Sequence, residues 1–322
     1  SLGVIYDDSQ IKALVCDDKP YKKWLNEQRI KLRLMPIPEL QAKIIEPHRL
    51  TTRQISNGMT EEDVKITILP FARTGTEPLG SMGSDVPLAV LSKQSQHISN
   101  YFKQYFAQVS NPPIDPIRER IVMSLYTRIG KSLNLLQESA EHTRQVHISQ
   151  PILSRDDFYR IKELASHGMD YYIIDATLDV ANKETLRMAI GRICNEAEDA
   201  INKGNSVLII SNRKESKYKA AIPSLLATGS VHHHLVNKKL RTQAGLVVEC
   251  SDAWETHHFA TIIGYGASAI YPYLTYDTIQ NAYNTQALNN KQPLDYYFGN
   301  FRKGIGKGLL KILSKMGIST LQ

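Results

Sequence analysis

The chain has 322 residues, 42 % of them hydrophobic and 22 % charged, with a formal net charge of +7. That apolar share supports a sizeable buried core and excludes a disordered chain. No apolar run approaches the roughly 18 residues of a membrane-spanning helix, and residues 1–8 lack the basic and apolar regions of a signal peptide.

A soluble, cytoplasmic protein with no membrane partner is therefore expected. Lys and Arg are spread along the chain, and no stretch interleaves basic with aromatic residues, which argues against nucleic acid. Cys16, Cys194 and Cys250 lie too far apart for a CxxC pair and fit reduced thiols better than a disulfide scaffold. The first residue is not Met and the last residues run straight out of a helical pattern, so the chain reads as a piece of something longer.

Residues 1–50 hold short apolar clusters without strong periodicity, and are expected to form an extended connector that wraps a neighbour. Residues 51–150 read as helical. One helix starts near Thr60 with Glu61, Glu62 and Asp63 behind it, a second covers 99–106, and a third follows Pro116 through Ile121, Val122 and Leu125.

Residues 151–322 change character. The runs 171–174, 207–210, 246–248 and 269–271 are short, apolar and rich in β-branched and aromatic residues. Between the first two, Leu186, Ile190, Ile193, Ala197 and Ile201 recur at helical spacing. Strands apolar on both faces and separated by helices predict βα units around a parallel sheet. Four strands are too few for the usual eight-stranded barrel. The expected fold is α/β: an incomplete, rudimentary (β/α) TIM-barrel-like sheet preceded by a helical region.

In such folds chemistry sits where strands end. Those positions hold Asp175, then Ser211, Asn212 and Arg213, then Glu249 and Cys250. Asp175 or Glu249 could serve as an acid or base and Arg213 as an anion clamp. The plainer role, a carboxylate capping the next helix or bridging a Lys, is the one expected. His232, His233 and His234, like His257 and His258, are adjacent and diverge on a helix, so packing or capping is expected of them rather than metal binding. The glycines at 299, 304, 306 and 308 look superficially like a nucleotide loop, but Ile305 follows Gly304 where that motif needs Lys and Ser or Thr, and no strand precedes. Gly264 and Gly266 suit a tight turn between helix and strand. Residues 75–85 are dense in Gly and small polar residues, and are the most site-like loop of the chain.

Four stretches from this loop onward stand out: Glu77-Pro78-Leu79-Gly80-Ser81-Met82-Gly83-Ser84-Asp85-Val86-Pro87-Leu88, then 101–119 with Asn111-Pro112-Pro113-Ile114-Asp115-Pro116, then His257-His258-Phe259-Ala260 with Gly264-Tyr265-Gly266-Ala267, and 306–320. In this order they resemble the central segment of the large chain of glutamate synthase. It implies a parent that turns L-glutamine, 2-oxoglutarate and a reductant into two L-glutamates. In that family a glutaminase domain with an N-terminal Cys nucleophile releases ammonia, and an FMN barrel carrying a 3Fe–4S cluster uses it. The central domain, described as a rudimentary version of that barrel, joins the two and helps enclose the ammonia tunnel.

This chain has neither the N-terminal Cys nor clustered cysteines. The resemblance therefore implies a non-catalytic linker and channel wall without cofactors of its own, its partners being the glutaminase and FMN-binding domains. The alternative is a small barrel enzyme acting at Asp175 and Glu249. Gly80, Ser81, Met82, Gly83, Ser84 and Asp85 are the candidate tunnel or interdomain wall. Lys303, Lys307, Lys311 and Lys315 recur every four residues on a C-terminal helix over about 301–316, beside an apolar stripe of Leu309, Ile312, Leu313 and Met316. Lys307, Lys311 and Lys315 are candidates for domain docking, and a chain that either self-associates or has a mobile tail after Met316 is expected.

Overall fold

A computed structural model describes residues 3–37, 47–79, 88–103, 118–134, 136–289 and 291–321. In place of an extended connector, the first residues form two short helices, α1 (Asp8–Cys16) and α2 (Tyr21–Gln28). Their cause is local capping rather than apolar periodicity. The Asp7 carboxylate accepts from the Gln10 N–H, and the Gln10 side chain accepts from the Asp7 N–H, a reciprocal capping box. No residue of α1 is buried. A two-residue strand β1 (Ile30–Lys31) and a tight helical turn place Ile30 and Leu32 in the core.

The next region holds α3 (Pro47–Ser56), a π-helical stretch Asp63–Ile68 that continues into α4 (Leu69–Thr74), and the short α5 (Glu119–Val122). Of the helix expected over 99–106, the described part is a single tight turn, Ile98–Tyr101. The helix expected to reach Leu125 stops at Val122, because Met123 turns into the core and the Ser124 N–H is taken by the Ser319 carbonyl. Two strands also lie in this stretch, β2 (Thr127–Ile129) and β3 (Val146–Ile148). β3 pairs antiparallel with β2 and parallel with β1. Each strand turns its first and last residues inward, an alternation too short to stand out in the sequence.

After α6 (Arg155–Ile161) come β4 (Tyr171–Asp175), β5 (Thr177–Asp179), α7 (Leu186–Asn202), β6 (Val207–Ser211), β7 (Lys219–Ala221), α8 (Ser224–Asn237), β8 (Gly245–Cys250), α9 (Thr256–Gly264), β9 (Ala269–Pro272), α10 (Tyr273–Asn284) and α11 (Leu294–Met316). The four expected runs form one parallel sheet in the order β4-β6-β8-β9. Every residue of β6 and β8 is buried, which is why their sequences read as continuous apolar runs. Leu208, Ile210 and Leu246 pack on one side with Ala189, Ile193 and Ala197 of α7 and Val231 and Leu235 of α8. Val207, Ile209, Val247 and Ala269 belong to the larger core on the other side, with Leu32, Phe158, Ile161 and Leu164. The fold is mixed α/β around this sheet.

α11 is longer than expected and seals the larger core. Phe301, fully buried, stands at ring distances of 5.8 Å from Phe71, 6.0 Å from Tyr276 and 6.1 Å from Phe259. The glycines that mimic a nucleotide loop are its contact face. A Cβ on Gly304 would collide with the Phe71 ring of α4, and one on Gly308 would lie 2.5 Å from Thr256 Oγ1 of α9. Leu309 and Leu313 are buried, Ile312 and Met316 half-buried, and Lys303, Lys311 and Lys315 exposed, with Lys307 half-buried. The tail after Met316 is tied down rather than loose. Gly317 adopts φ 71° to close the helix, the Ile318 N–H reaches the Leu313 carbonyl, and Ser124 bridges Thr320. Among the described residues no helix is long and apolar enough to cross a membrane.

Candidate functional site

Parallel register sets the expected strand-end residues side by side. Asp175 neighbours Ser211, Ser211 neighbours Glu249, and Glu249 neighbours Tyr271 of β9. Glu249 is buried, and both its oxygens are bonded: Ser211 Oγ donates to Oε2 at 2.6 Å and Arg213 Nε to Oε1 at 2.5 Å. The Arg213 guanidinium lies 4.2 Å over the Tyr273 ring. Burial opposes the charge of Arg213, but Glu249, Tyr271 and Asp277 together outweigh it, so the guanidinium stays protonated.

Asp175 pairs with two lysines and a hydroxyl. Thr177 Oγ1 donates to it at 2.7 Å, and the ammonium groups of Lys219 and Lys214 stand 3.1 and 3.6 Å away. Burial pushes its pKa up, but the Thr177 bond and the two lysines together hold it below the ordinary Asp value. Asn212, also buried, accepts from the Ser251 N–H and donates to Ser224 Oγ, tying the ends of β6 and β8 to the start of α8. Asp252 caps that helix from outside, its Oδ2 accepting from the Ser224 N–H at 2.8 Å. Cys250 is fully enclosed, and burial pushes its thiol well above the usual range, which disfavours the reactive thiolate.

Sequence reasoning missed Asp277. It sits one turn into α10 from the fully buried Tyr273, and its Oδ2 is buried without a hydrogen-bond partner among the described residues. Burial raises its pKa to about 6, with Arg213 the strongest opposing influence. The available signal was spacing: position 277 lies four residues after 273, on the helix face turned toward the strand ends.

Four of the clustered histidines make packing and polar contacts. His234 Nε2 meets Glu198 Oε2 at 2.9 Å, and His232 Nδ1 accepts from Arg241 Nε at 2.9 Å. His257 donates from Nε2 to the Ser99 carbonyl, and His258 stacks on His97 at 3.9 Å beside Trp254. Gly266 adopts φ 105°, and a Cβ there would collide with the His232 ring. Gly80, Ser81, Met82, Gly83, Ser84 and Asp85 lie outside the described residues. Just before them Gly75, at φ 63°, ends α4, and Asn300 of α11 donates to the carbonyls of Ala72 and Arg73.

The family model of the glutamate synthase central domain matches residues 52–322. The chain is 39 % identical over 322 residues to the glutamate synthase [NADPH] large chain of Bacillus subtilis (strain 168), an alignment covering 99 % of this chain and 20 % of that one. It is 37 % identical over 329 residues to the chloroplastic ferredoxin-dependent glutamate synthase 2 of Arabidopsis thaliana, covering 98 % and 20 %. The chain thus spans about a fifth of the length of these curated relatives. Among solved structures, the flavin-binding domain of baker's yeast flavocytochrome b2 aligns over 86 % of this chain and 89 % of that one, at 9 % identity and a TM-score of 0.36, too slight a likeness to bear on the fold. With the model matched from residue 52 to the last residue, the chain belongs to the glutamate synthase central domain family.

Proposed function

We propose that this chain is the non-catalytic central segment of a glutamate synthase large chain, joining a glutaminase domain to an FMN-binding barrel. The parent converts L-glutamine, 2-oxoglutarate and reductant into two L-glutamates, and its FMN and 3Fe–4S cluster reside in other segments. The sheet β4-β6-β8-β9 is an incomplete barrel, and residues 80–85 form part of the wall past which ammonia travels. Lys307, Lys311 and Lys315 carry the docking stripe toward the neighbouring domain.

The observation that carries the non-catalytic reading is the closed row at the strand ends. Asp175 is neutralised by two lysines, and Glu249 is bonded on both oxygens. The donors of the row are engaged with its own carboxylates, Ser211 and Arg213 with Glu249 and Lys214 and Lys219 with Asp175, which supports a segment that takes no step in the parent's chemistry.

In the full-length enzyme, Ser81→Phe should uncouple glutamine hydrolysis from glutamate formation while each half-reaction continues. One-to-one coupling in that variant would end the wall assignment. A flavin spectrum that persists on the purified 322-residue chain through gel filtration would end the cofactor-free reading. A second reading, a small barrel enzyme acting at Asp175 and Glu249, draws on Asp277, whose carboxyl near pH 6 beside Arg213 is a fit acid or base. Glutaminase or flavin-dependent turnover by this chain alone, lost in Glu249→Gln and Asp277→Asn, would favour it.

A further inference from the structure

β4 is the edge of the parallel sheet, paired on one side by β6. Residues of a parallel strand alternate in which neighbour their main chain faces. The Ala176 N–H donates to Ser211 O at 2.8 Å, so Tyr172 and Ile174, of the same parity, face β6. Tyr171 and Ile173 turn their N–H and C=O groups the other way, where no backbone partner stands among the described residues.

One side chain on each face of this edge is exposed, while Ile174 is fully buried and Tyr171 packs against the larger core. Tyr172 is 40 % and Ile173 38 % exposed, whereas every residue of β6 and β8 is buried. Exposed apolar residues continue on the elements that follow: Val180, Leu186 and Met188. The strand carries none of the devices that blunt a natural edge. It reads Tyr-Tyr-Ile-Ile-Asp without Lys, Pro or bulge, and its one charge, Asp175, is neutralised by Lys214 and Lys219. An open, apolar edge is a template for one more strand.

We propose that β4 is completed by a strand from the same polypeptide outside these 322 residues, an extended and largely apolar segment that bonds to the main chain of Tyr171 and Ile173 and covers the Ile173 side chain. The occupant is set by chain length: the relatives are about five times as long as the part matched here, so most of each polypeptide lies beyond this segment. This rests on the reading of the chain as a segment of a full glutamate synthase.

The test is amide hydrogen exchange at Tyr171 and Ile173 in the 322-residue chain and in the full-length large chain. Both amides should exchange about tenfold or more slowly in the full-length chain than in the segment at high dilution. Equal rates would overturn the proposal, even in a full-length chain that makes glutamate and so upholds the functional reading. Protection that appears in the segment alone and rises with its concentration would assign the edge to a second copy, and would also overturn it. A second variant guards against misfolding. Ile173→Pro removes the outward N–H together with the Ile173 side chain, but no N–H of the ladder to β6. It should leave unfolding of the segment nearly unchanged while losing the slow exchange of Tyr171 in the full-length chain; retained protection there would refute the pairing.

Discussion

The four-stranded sheet and the amino-terminal helix α1 stand at opposite extremes of burial. Every side chain of β6 and β8 is enclosed, and none of α1 is. Strands β6 and β8 are held by neighbours on all sides, through two parallel ladders and both cores. Helix α1 is held by its own cap, and a nine-residue helix without tertiary packing is marginal in water. Between these extremes, the small elements of residues 30–148 owe their places to distant partners. β1 pairs with β3 across more than a hundred residues, Arg160 Nε reaches the Met35 carbonyl, and Gln54 and Asn57 of the α3 region bond Thr278 and Ser251. The difference teaches that the sheet is the organiser, and that the amino-terminal half folds onto it rather than beside it.

The sharpest way to break that picture is Phe301→Ala. Phe301 joins α11 to α4, α9 and α10 in one aromatic cluster, so its loss should cost about 3–5 kcal/mol and lower the midpoint of a single cooperative denaturant transition. Two separate transitions, one of them unmoved, would mean that the amino-terminal half has its own core.

A smaller and pH-dependent effect separates the strand ends from the rest of the sheet region. The pKa of Asp277 is raised in the folded state, to about 6, so the folded chain holds a proton that the unfolded chain has released. Stability is therefore lost as pH rises from about 4 to 6. Asp277→Asn should recover up to about 3 kcal/mol at pH 7–8 and almost nothing at pH 4, measured by urea unfolding across that range. An equal gain at both pH values would show that the carboxyl is not the strained group.

The smallest effect tests α1. Leu14 is 56 % exposed, so Leu14→Ala should change the stability of the 322-residue chain by less than about 0.5 kcal/mol. A loss near that of Phe301→Ala would place α1 in the core and erase the contrast.

Particular residues show where sequence reading succeeds. The runs at 171, 207, 246 and 269 and the spacing of Leu186, Ile190, Ile193 and Ala197 announce β4, β6, β8, β9 and α7, because a buried strand or a helix face imposes its period on adjacent residues. The same logic fails for β2 and β3, whose three residues each are too few to establish any period. It fails again in residues 1–50, where caps at Asp7 and Gln10 make a helix that apolar spacing does not declare. At the strand ends Asp175, Ser211, Arg213 and Glu249 were legible as a row, but Asp277 was not, since it reaches the row from a helix.

By itself, the sequence determined the βα units, the parallel sheet and the family, because these rest on local periods and long motifs. Only the tertiary structure decided what each polar group does. Strand register places Glu249 between Ser211 and Arg213 and gives Asp175 its lysines. Helix packing turns Gly304 and Gly308 into contact points for Phe71 and Thr256, and closes the tail against Ser124. The physical reason is range: a period is written in neighbouring residues, whereas a hydrogen-bond partner is found only when segments far apart in the chain are brought to within about 3 Å.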